Sequence, residues 1–160
     1  MATAITLIEA KTLASSTTLV TFSAIPATYT DLQLLISVKS SAGATASYIG
    51  FNSSQASFSG QYLYSNPPTA PVGGTLARYI GSQGSNGFAS YTIYIPNYAS
   101  AKYKPFSVDN TDGNFGSGAN LNMTCGLWAN TAAINSIEID ANGNNMLQYS
   151  TFYLYGISNA

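Results

Sequence analysis

Leu32-Gln33-Leu34-Leu35-Ile36-Ser37-Val38-Lys39 is the stretch that decides the fold class of this chain. A β-strand directs successive side chains to opposite faces of its sheet, so a period of two predicts a half-buried strand. The face that we expect to lie in the core carries Leu32, Leu34, Ile36 and Val38.

The same alternation recurs along the 160 residues, between turns rich in Gly, Asn, Ser and Pro, and no segment has helical periodicity. We predict about nine or ten strands in a single domain, residues 1–160, packed as two antiparallel sheets or closed into a barrel. The predicted strands are Thr18–Ala24, Leu32–Lys39, Tyr48–Asn52, Phe58–Tyr64, Thr75–Ile80, Phe88–Ile95, Tyr103–Val108, Leu121–Trp128, Ile134–Ala141 and Thr151–Ile157.

Turn chemistry predicts how several strands connect. The dipeptide Asn142-Gly143 is a strong hairpin signal, so we expect the last two strands to pair directly. Residues Asn66–Gly74 are rich in proline and glycine and predict an excursion between sheets, and Asp109–Asn120 predicts a loop. Pro105 cannot donate to a ladder and predicts an edge position or a bulge.

The strand assignments predict the core. Cys125 is the only cysteine, which excludes an intramolecular disulfide, and its alternation with Leu121, Met123 and Leu127 predicts a small buried hydrophobe. Trp128 ends the same strand, and core packing is favoured over a sugar platform. The residues expected to be buried are Leu34, Ile36, Val38, Ile93, Leu127, Ile137, Ile139 and Leu154.

Charge is scarce and excludes several classes of partner. Five basic and six acidic residues give a net charge of −1, and charged residues make up 7% of the chain against about 25% in an average domain. Nucleic-acid binding is therefore not expected, and Lys102 with Lys104 is interpreted as a solvated strand edge. The sequence contains no apolar run of ~20 residues and no signal peptide, which predicts a protein made in the cytoplasm and not inserted into a membrane.

Catalytic groupings are scarce too. With no histidine, neither a Ser-His-Asp triad nor a histidine-ligated zinc site can form. Glu138 and Asp140 share one strand face and could form a glycosidase-like pair or part of a calcium site, but alternation with Ile137 and Ile139 predicts that they face solvent. Asp109–Asn114 lacks the spacing of a calcium loop and predicts a turn. We expect no enzyme, no metal and no cofactor.

Tyrosine is the abundant side chain, with twelve in the chain. An amphipathic ring at a strand rim suits a protein interface, and ordinary cross-strand packing within the monomer is the alternative. The tyrosines selected as candidate interface residues are Tyr62, Tyr64, Tyr94, Tyr98 and Tyr103.

Several segments resemble one protein family. Phe22–Leu34, Phe-Ser-Ala-Ile-Pro-Ala-Thr-Tyr-Thr-Asp-Leu-Gln-Leu, resembles a segment of small virion structural proteins of tailed bacteriophages, particularly marine and cyanobacterial ones. Ile95–Tyr98 with Lys102–Lys104 is similar to the middle of that family. Its closing hairpin is similar to Ile134–Ile139, Asn142-Gly143-Asn144 and Phe152–Ile157.

The resemblance implies an antiparallel β-sandwich of jelly-roll-like type and a place in a virion. The leading hypothesis is a capsid decoration, or cement, protein that binds the phage major capsid protein on the outside of the head as a homo-oligomer, with a homotrimer expected. The alternative is a tail-fibre or receptor-binding module that contacts host surface glycans. A glycan depolymerase that uses Glu138 and Asp140 is a third hypothesis.

Overall fold

The computed structural model describes residues 4–42, 45–65, 72–84, 86–114 and 118–158, and the part of the chain that it describes folds as β-strands joined by turns. The strands are β1 (Ala4–Thr12), β2 (Leu19–Phe22), β3 (Asp31–Val38), β4 (Thr45–Phe51), β5 (Phe58–Ser65), β6 (Val72–Thr75), β7 (Tyr79–Gln83), β8 (Ala89–Ile95), β9 (Lys104–Asn114), β10 (Gly118–Trp128), β11 (Ile137–Asp140) and β12 (Thr151–Ser158).

The strands form two sheets that pack as a sandwich. The large sheet has eight strands in the order β1-β12-β3-β8-β9-β10-β5-β6, and the small sheet has four in the order β2-β11-β4-β7. Every pairing between these strands is antiparallel. The predicted all-β antiparallel sandwich is confirmed, and its jelly-roll-like character stays a prediction.

The core lies between the two sheets and contains the predicted face of β3. Leu32, Leu34, Ile36 and Val38 are all at most 4% exposed, whereas Leu35 points away from the core and is 37% exposed. The other residues expected to be buried are also in the core, with the exception of Leu127: Ile93, Ile137, Ile139 and Leu154.

The predicted hairpin between the last two strands is wrong. Asn142 and Gly143 do form a tight turn, because both have positive φ and the Asn144 amide donates to the Ala141 carbonyl at 3.1 Å. However, β11 pairs with β2 and β4 in the small sheet, while β12 pairs with β1 and β3 in the large one. The turn therefore begins a crossover between sheets, which local turn chemistry cannot distinguish from a hairpin.

Several other strand assignments differ from the sequence prediction. β1 was not predicted, because a bulge between Leu7 and Glu9 interrupts its alternation. The predicted strand 75–80 is divided between β6 and β7 by a turn at Arg78, whose φ is +62°. The predicted loop 109–120 is mostly strand, since β9 and β10 pair from Asn114 with Gly118 onward. Within the predicted excursion 66–74, residues 66–71 lie outside the described residues and 72–74 belong to β6.

Pro105 shows how a central strand can contain a proline. β9 lies between β8 and β10, but its ladder with β8 covers only Ser107 to Thr111. Pro105 lies beyond that ladder, opposite Leu127 of β10, where the strand has one neighbour. The missing N–H therefore leaves no ladder bond unmade on the β8 side, as expected for an edge position.

Among the described residues, no helix is long and apolar enough to span a lipid bilayer.

Candidate interaction surface

Strand β10 buries polar side chains and exposes apolar ones, and this orientation defines the candidate surface. Over residues 120–124 its inward side chains are polar, with Asn120, Asn122 and Thr124 at most 5% exposed. Its outward side chains are apolar, with Leu121 47% and Met123 49% exposed. A one-residue shift would exchange the two faces, so this register is selected against the usual hydrophobic preference.

A buried hydrogen-bond network holds β10 in this orientation. The side-chain amide of Asn122 donates to Asn110 Oδ1 of β9 at 2.9 Å, and Asn122 Oδ1 accepts a 3.2 Å bond from the Tyr79 hydroxyl. The Ser82 backbone N–H also donates to Asn110 Oδ1, at 3.2 Å. Gly81 allows this approach, since a Cβ there would lie 2.4 Å from Asn110 Oδ1. Buried polar groups that are bonded in this way specify one register.

Asp112 extends the network toward the far end of β9. Its Oδ1 accepts a 2.7 Å bond from the Asn120 side-chain amide, and the carboxylate is 1% exposed. Burial raises the pKa of Asp112, and its hydrogen bonds with Asn120 oppose that rise. Some buried atoms here have no hydrogen-bond partner, namely Asp112 Oδ2, Asn120 Oδ1, Thr124 Oγ1 and Gln83 Oε1. This end of the interior is thus polar at a cost in stability.

The outward side chains of β10 continue onto β5. Met123 lies directly opposite Leu63, which is 48% exposed, and Cys125 lies opposite Gln61. We call the outward side chains Leu63, Leu121, Met123, Cys125 and Leu127 the β5–β10 patch. On the other side of β10, Met123 lies opposite Asp109, a charged side chain beside an otherwise uncharged patch.

A second apolar area lies on the same outer face, at its other end. Ile5 and Leu7 of β1 are 62% and 50% exposed, and they lie opposite Ile157 and Tyr155 of β12. Leu35 lies opposite Tyr153, so this area continues onto β3. Between the two areas, the outward side chains of β8 and β9 include Ser90, Thr92, Ser107, Asp109 and Thr111, together with the ring of Tyr94, whose hydroxyl is bonded to Asp31. The large sheet therefore presents two apolar areas on either side of a polar band.

The five candidate tyrosines do not form one surface. Tyr62 lies opposite inward-facing Thr124 and packs edge-on against Tyr79, with ring centroids 5.2 Å apart. Tyr64 lies opposite Asn122 and also points inward, and its pKa is raised by burial and by the Asp112 carboxylate. Both are half-buried.

The other three candidate tyrosines are dispersed. Tyr94 is on the outer face, where its hydroxyl donates to Asp31 Oδ2 at 2.7 Å, and that bond raises its pKa. Tyr103 is 56% exposed in the turn before β9. Tyr98 is fully buried, so it has no surface to offer a partner. Alternation alone could not distinguish the inner face of a strand from its outer face at these positions.

Cys125 and Leu127 were assigned to the wrong face of β10. Cys125 is exposed, and Leu127 is half-buried on the same outer side. The expectation that they are buried is wrong because the apolar residues 121–127 of β10 face outward. The polar alternation of Asn120, Asn122 and Thr124 was the sequence signal of this surface, but it has that meaning only once β7 is known to cover it.

Trp128 is a core residue, as predicted. It is 1% exposed and packs against the rings of Phe51 and Phe58, with centroids 5.5 Å and 6.1 Å away. A buried indole cannot stack on a sugar, so this residue gives no support to glycan binding.

Lys104 was expected to be solvated but is fully buried. Its ammonium donates to the Ser100 carbonyl at 2.6 Å and to the Lys102 carbonyl, and burial lowers its pKa. The buried ammonium thereby closes the turn that precedes β9, because backbone carbonyls replace its lost water.

The acidic candidates occupy structural positions. Glu138 and Asp140 face outward from the small sheet, as predicted, while Ile137 and Ile139 are buried. Asp140 Oδ1 accepts a 2.8 Å hydrogen bond from the backbone N–H of Asn142. Residues 109–114, expected to be a turn, belong to strand β9. No group of three His, Cys, Asp or Glu side chains able to hold a metal occurs in the described part of the chain.

The motifs that carry the family resemblance meet at one corner of the sandwich. The Tyr98 hydroxyl donates a hydrogen bond to the Pro26 carbonyl, and Asp31 Oδ1 accepts a 2.8 Å hydrogen bond from the backbone N–H of Asn97. Tyr29 packs over Gly156 of β12, where a Cβ would lie 2.3 Å from the ring. These side chains join distant segments of the chain, so the motifs help to specify the fold.

Comparisons of the chain with protein-family models, curated proteins and solved structures gave no match.

Proposed function

We propose that this protein is a structural component of a phage head, a decoration protein that self-associates and coats the capsid through the outer face of its large sheet. One observation carries the proposal: β10 directs Leu121 and Met123 outward while it buries Asn120 and Asn122. The resemblance of Phe22–Leu34 to phage virion proteins supports the assignment to a phage head. The proposed partners are other copies of this protein and the major capsid protein.

The β5–β10 patch is a surface that gains from being covered. Leu63, Leu121 and Met123 are each about half exposed, between 47% and 49%. Full burial of such a side chain is worth about 1.5–3 kcal/mol, so covering the remaining half contributes on the order of 1 kcal/mol each. Contiguous exposed apolar side chains are typical of interaction sites.

Low charge suits self-association. The net charge of −1 is too small for copies to repel one another strongly, and the outer face offers little charge to a strongly acidic or basic partner. Contacts between such faces would involve apolar side chains with Ser, Thr and Gln hydrogen bonds, in the composition of an interface core with a polar rim.

Decoration would stabilise the shell by mass action. A protein that binds only the assembled shell adds about 2.7 kcal/mol per site at a concentration 100 times its Kd. An oligomer that touches several capsid subunits gains further affinity because its second contact is intramolecular. The physical role requires no catalysis.

The experiment that tests the proposal combines copy number with reconstitution. We expect the protein in virions in numbers comparable with the capsid subunits, and we expect added purified protein to restore the heat resistance of particles that lack it. Met123→Glu should fail to restore it, whereas Leu19→Glu, at a 43% exposed position on the small sheet, should succeed. A copy number typical of tail fibres, with loss of adsorption and full heat resistance, would overturn the proposal in favour of the receptor-binding alternative.

A further inference from the structure

An open cleft lies away from the β5–β10 patch, where three connections meet the end of β3. It has a volume of about 580 Å³, within the ~300–1,000 Å³ range of small-ligand sites. Ser15 and Ser16 come from the β1–β2 connection and Phe88 from the β7–β8 connection. Gln148 and Tyr149 come from the β11–β12 connection, and Lys39 directly follows β3.

Backbone hydrogen bonds make this cleft a preformed structure. The Leu147 amide donates to the Lys39 carbonyl at 2.8 Å, and the Tyr149 amide donates to the Leu13 carbonyl at 2.9 Å. The Lys39 amide donates to Ser150 Oγ at 3.2 Å. The wall and the rim of the cleft are thereby tied to the sheet, which limits the ordering cost of binding.

Tyr149 occupies a position that folding does not explain. Its φ is +70°, in the left-handed region that bulky side chains rarely adopt, and its side chain is 69% exposed. A glycine would fit this backbone without strain, and an exposed ring adds little to the core. Residues held in sparsely populated backbone regions cluster at active sites and ligand clamps.

The lining combines the groups that recognise a charged sugar. Phe88, 46% exposed, and Tyr149 offer aromatic faces to the C–H face of a pyranose ring, and Ser15, Ser16 and Gln148 offer hydrogen bonds to its hydroxyls. The Lys39 ammonium supplies a cation. Among the described residues the ion pair present is Lys11 with Glu9, so no carboxylate competes for Lys39.

We propose that this cleft binds an acidic saccharide, with its ring against Tyr149 and Phe88 and its carboxylate at Lys39. Binding at the cleft itself does not require the decoration role, whereas multivalent attachment rests on that proposed function. On a protein present in many copies per head, even millimolar single-site binding would become strong attachment to a polysaccharide surface.

The test is a titration of the full-length protein, followed by amide NMR, with sialyllactose, a hyaluronate tetrasaccharide and tri-galacturonate, and with lactose as the neutral control. We expect at least one acidic probe to shift the amides of residues 13–16, 39 and 147–150 with a Kd near 1 mM or tighter. Free glucuronic acid forms a further arm, and equal affinity for it would identify a sugar acid, rather than a polymer, as the ligand.

Variants separate the site from the fold. Tyr149→Gly suits the backbone, so it should fold and lose about tenfold in affinity, and Lys39→Gln should lose binding of the acidic probe. Tyr103→Ala, at an exposed tyrosine elsewhere, should bind as the parent does. No amide shift from any acidic probe at about 20 mM, or unchanged affinity of the Tyr149→Gly variant, would overturn the proposal.

Discussion

Asn122 and Met123 are neighbours in β10 and face opposite sides of the large sheet, with Asn122 1% and Met123 49% exposed. Asn122 is bonded to Asn110 and Tyr79 inside the sandwich, while Met123 lies beside Leu63 on the outside. The polar side chain therefore determines where the apolar one points. An interior network of this kind lowers the free energy of unfolding relative to an apolar core, and it places apolar side chains on the surface.

Changing Met123 to Glu should weaken self-association. A carboxylate at the centre of the β5–β10 patch would have to lose its water on contact with a second copy. Analytical ultracentrifugation should show a shift from oligomer, with a trimer expected for the parent, to monomer.

The matched control is Leu19→Glu, which should leave the oligomer intact. The parent oligomer should also persist as salt is raised, because screening weakens charge pairs far more than apolar contacts. A monomeric parent protein at high concentration would contradict this prediction.

Asp112 should make stability depend on pH. Burial raises its pKa above the 3.8 of an unfolded chain, so the folded state binds a proton more readily than the unfolded state does. Stability should fall as pH rises from about 4 through the folded pKa, and remain constant above it. Asp112→Asn should remove this loss in thermal melts at several pH values, and Asp109→Asn, at an exposed site on the same strand, should not. An unchanged pH profile for Asp112→Asn would be inconsistent with burial of its charge.

Truncation of core residues should distinguish the two faces of the large sheet. Ile36→Ala removes a side chain that is 4% exposed and should lower the free energy of unfolding by about 2–5 kcal/mol. Leu127→Ala, on the outer side, should cost about 1 kcal/mol or less in the monomer. Urea denaturation measures both, and similar costs would mean that β10 has the opposite orientation.

Tyr98→Phe should destabilise the corner where the family motifs meet. The change removes the hydroxyl that donates to the Pro26 carbonyl and accepts a hydrogen bond from the Tyr29 backbone N–H, so both part-buried backbone groups lose their bond to the fully buried Tyr98 ring. We expect a loss of about 0.5–1.5 kcal/mol. Tyr103→Phe, at a 56% exposed ring, should change stability by less than about 0.5 kcal/mol in the same urea series.

Tyr149→Gly should stabilise the protein. The left-handed backbone at φ +70° costs an L-residue roughly 1–2 kcal/mol, and glycine avoids this cost, although it loses more entropy on folding. The melting temperature should rise by a few degrees, and Tyr149→Ala, which keeps the strain, should not raise it. A lower melting temperature for Tyr149→Gly would mean that the ring contributes to folding.

The sequence determined the fold class because alternation is a local property of each strand. The repeated apolar positions of β3 and β11 predicted their buried faces, whereas the hairpin predicted from Asn142-Gly143 was wrong although the tight turn itself forms. Low charge and the lack of histidine likewise follow from composition and need no structure. Each of these depends on residues within a few positions of one another.

The tertiary structure alone decided which strands pair and which faces of β9 and β10 are inside. Asn110 and Asn122 are twelve residues apart, and they bond in the interior because β7 supplies the Tyr79 hydroxyl and the Ser82 amide. The cleft at Tyr149 likewise draws on four separate segments. Burial and hydrogen-bond partners come from contacts between distant segments. The alternation of side chains along one strand therefore cannot show which of its faces the other sheet will cover.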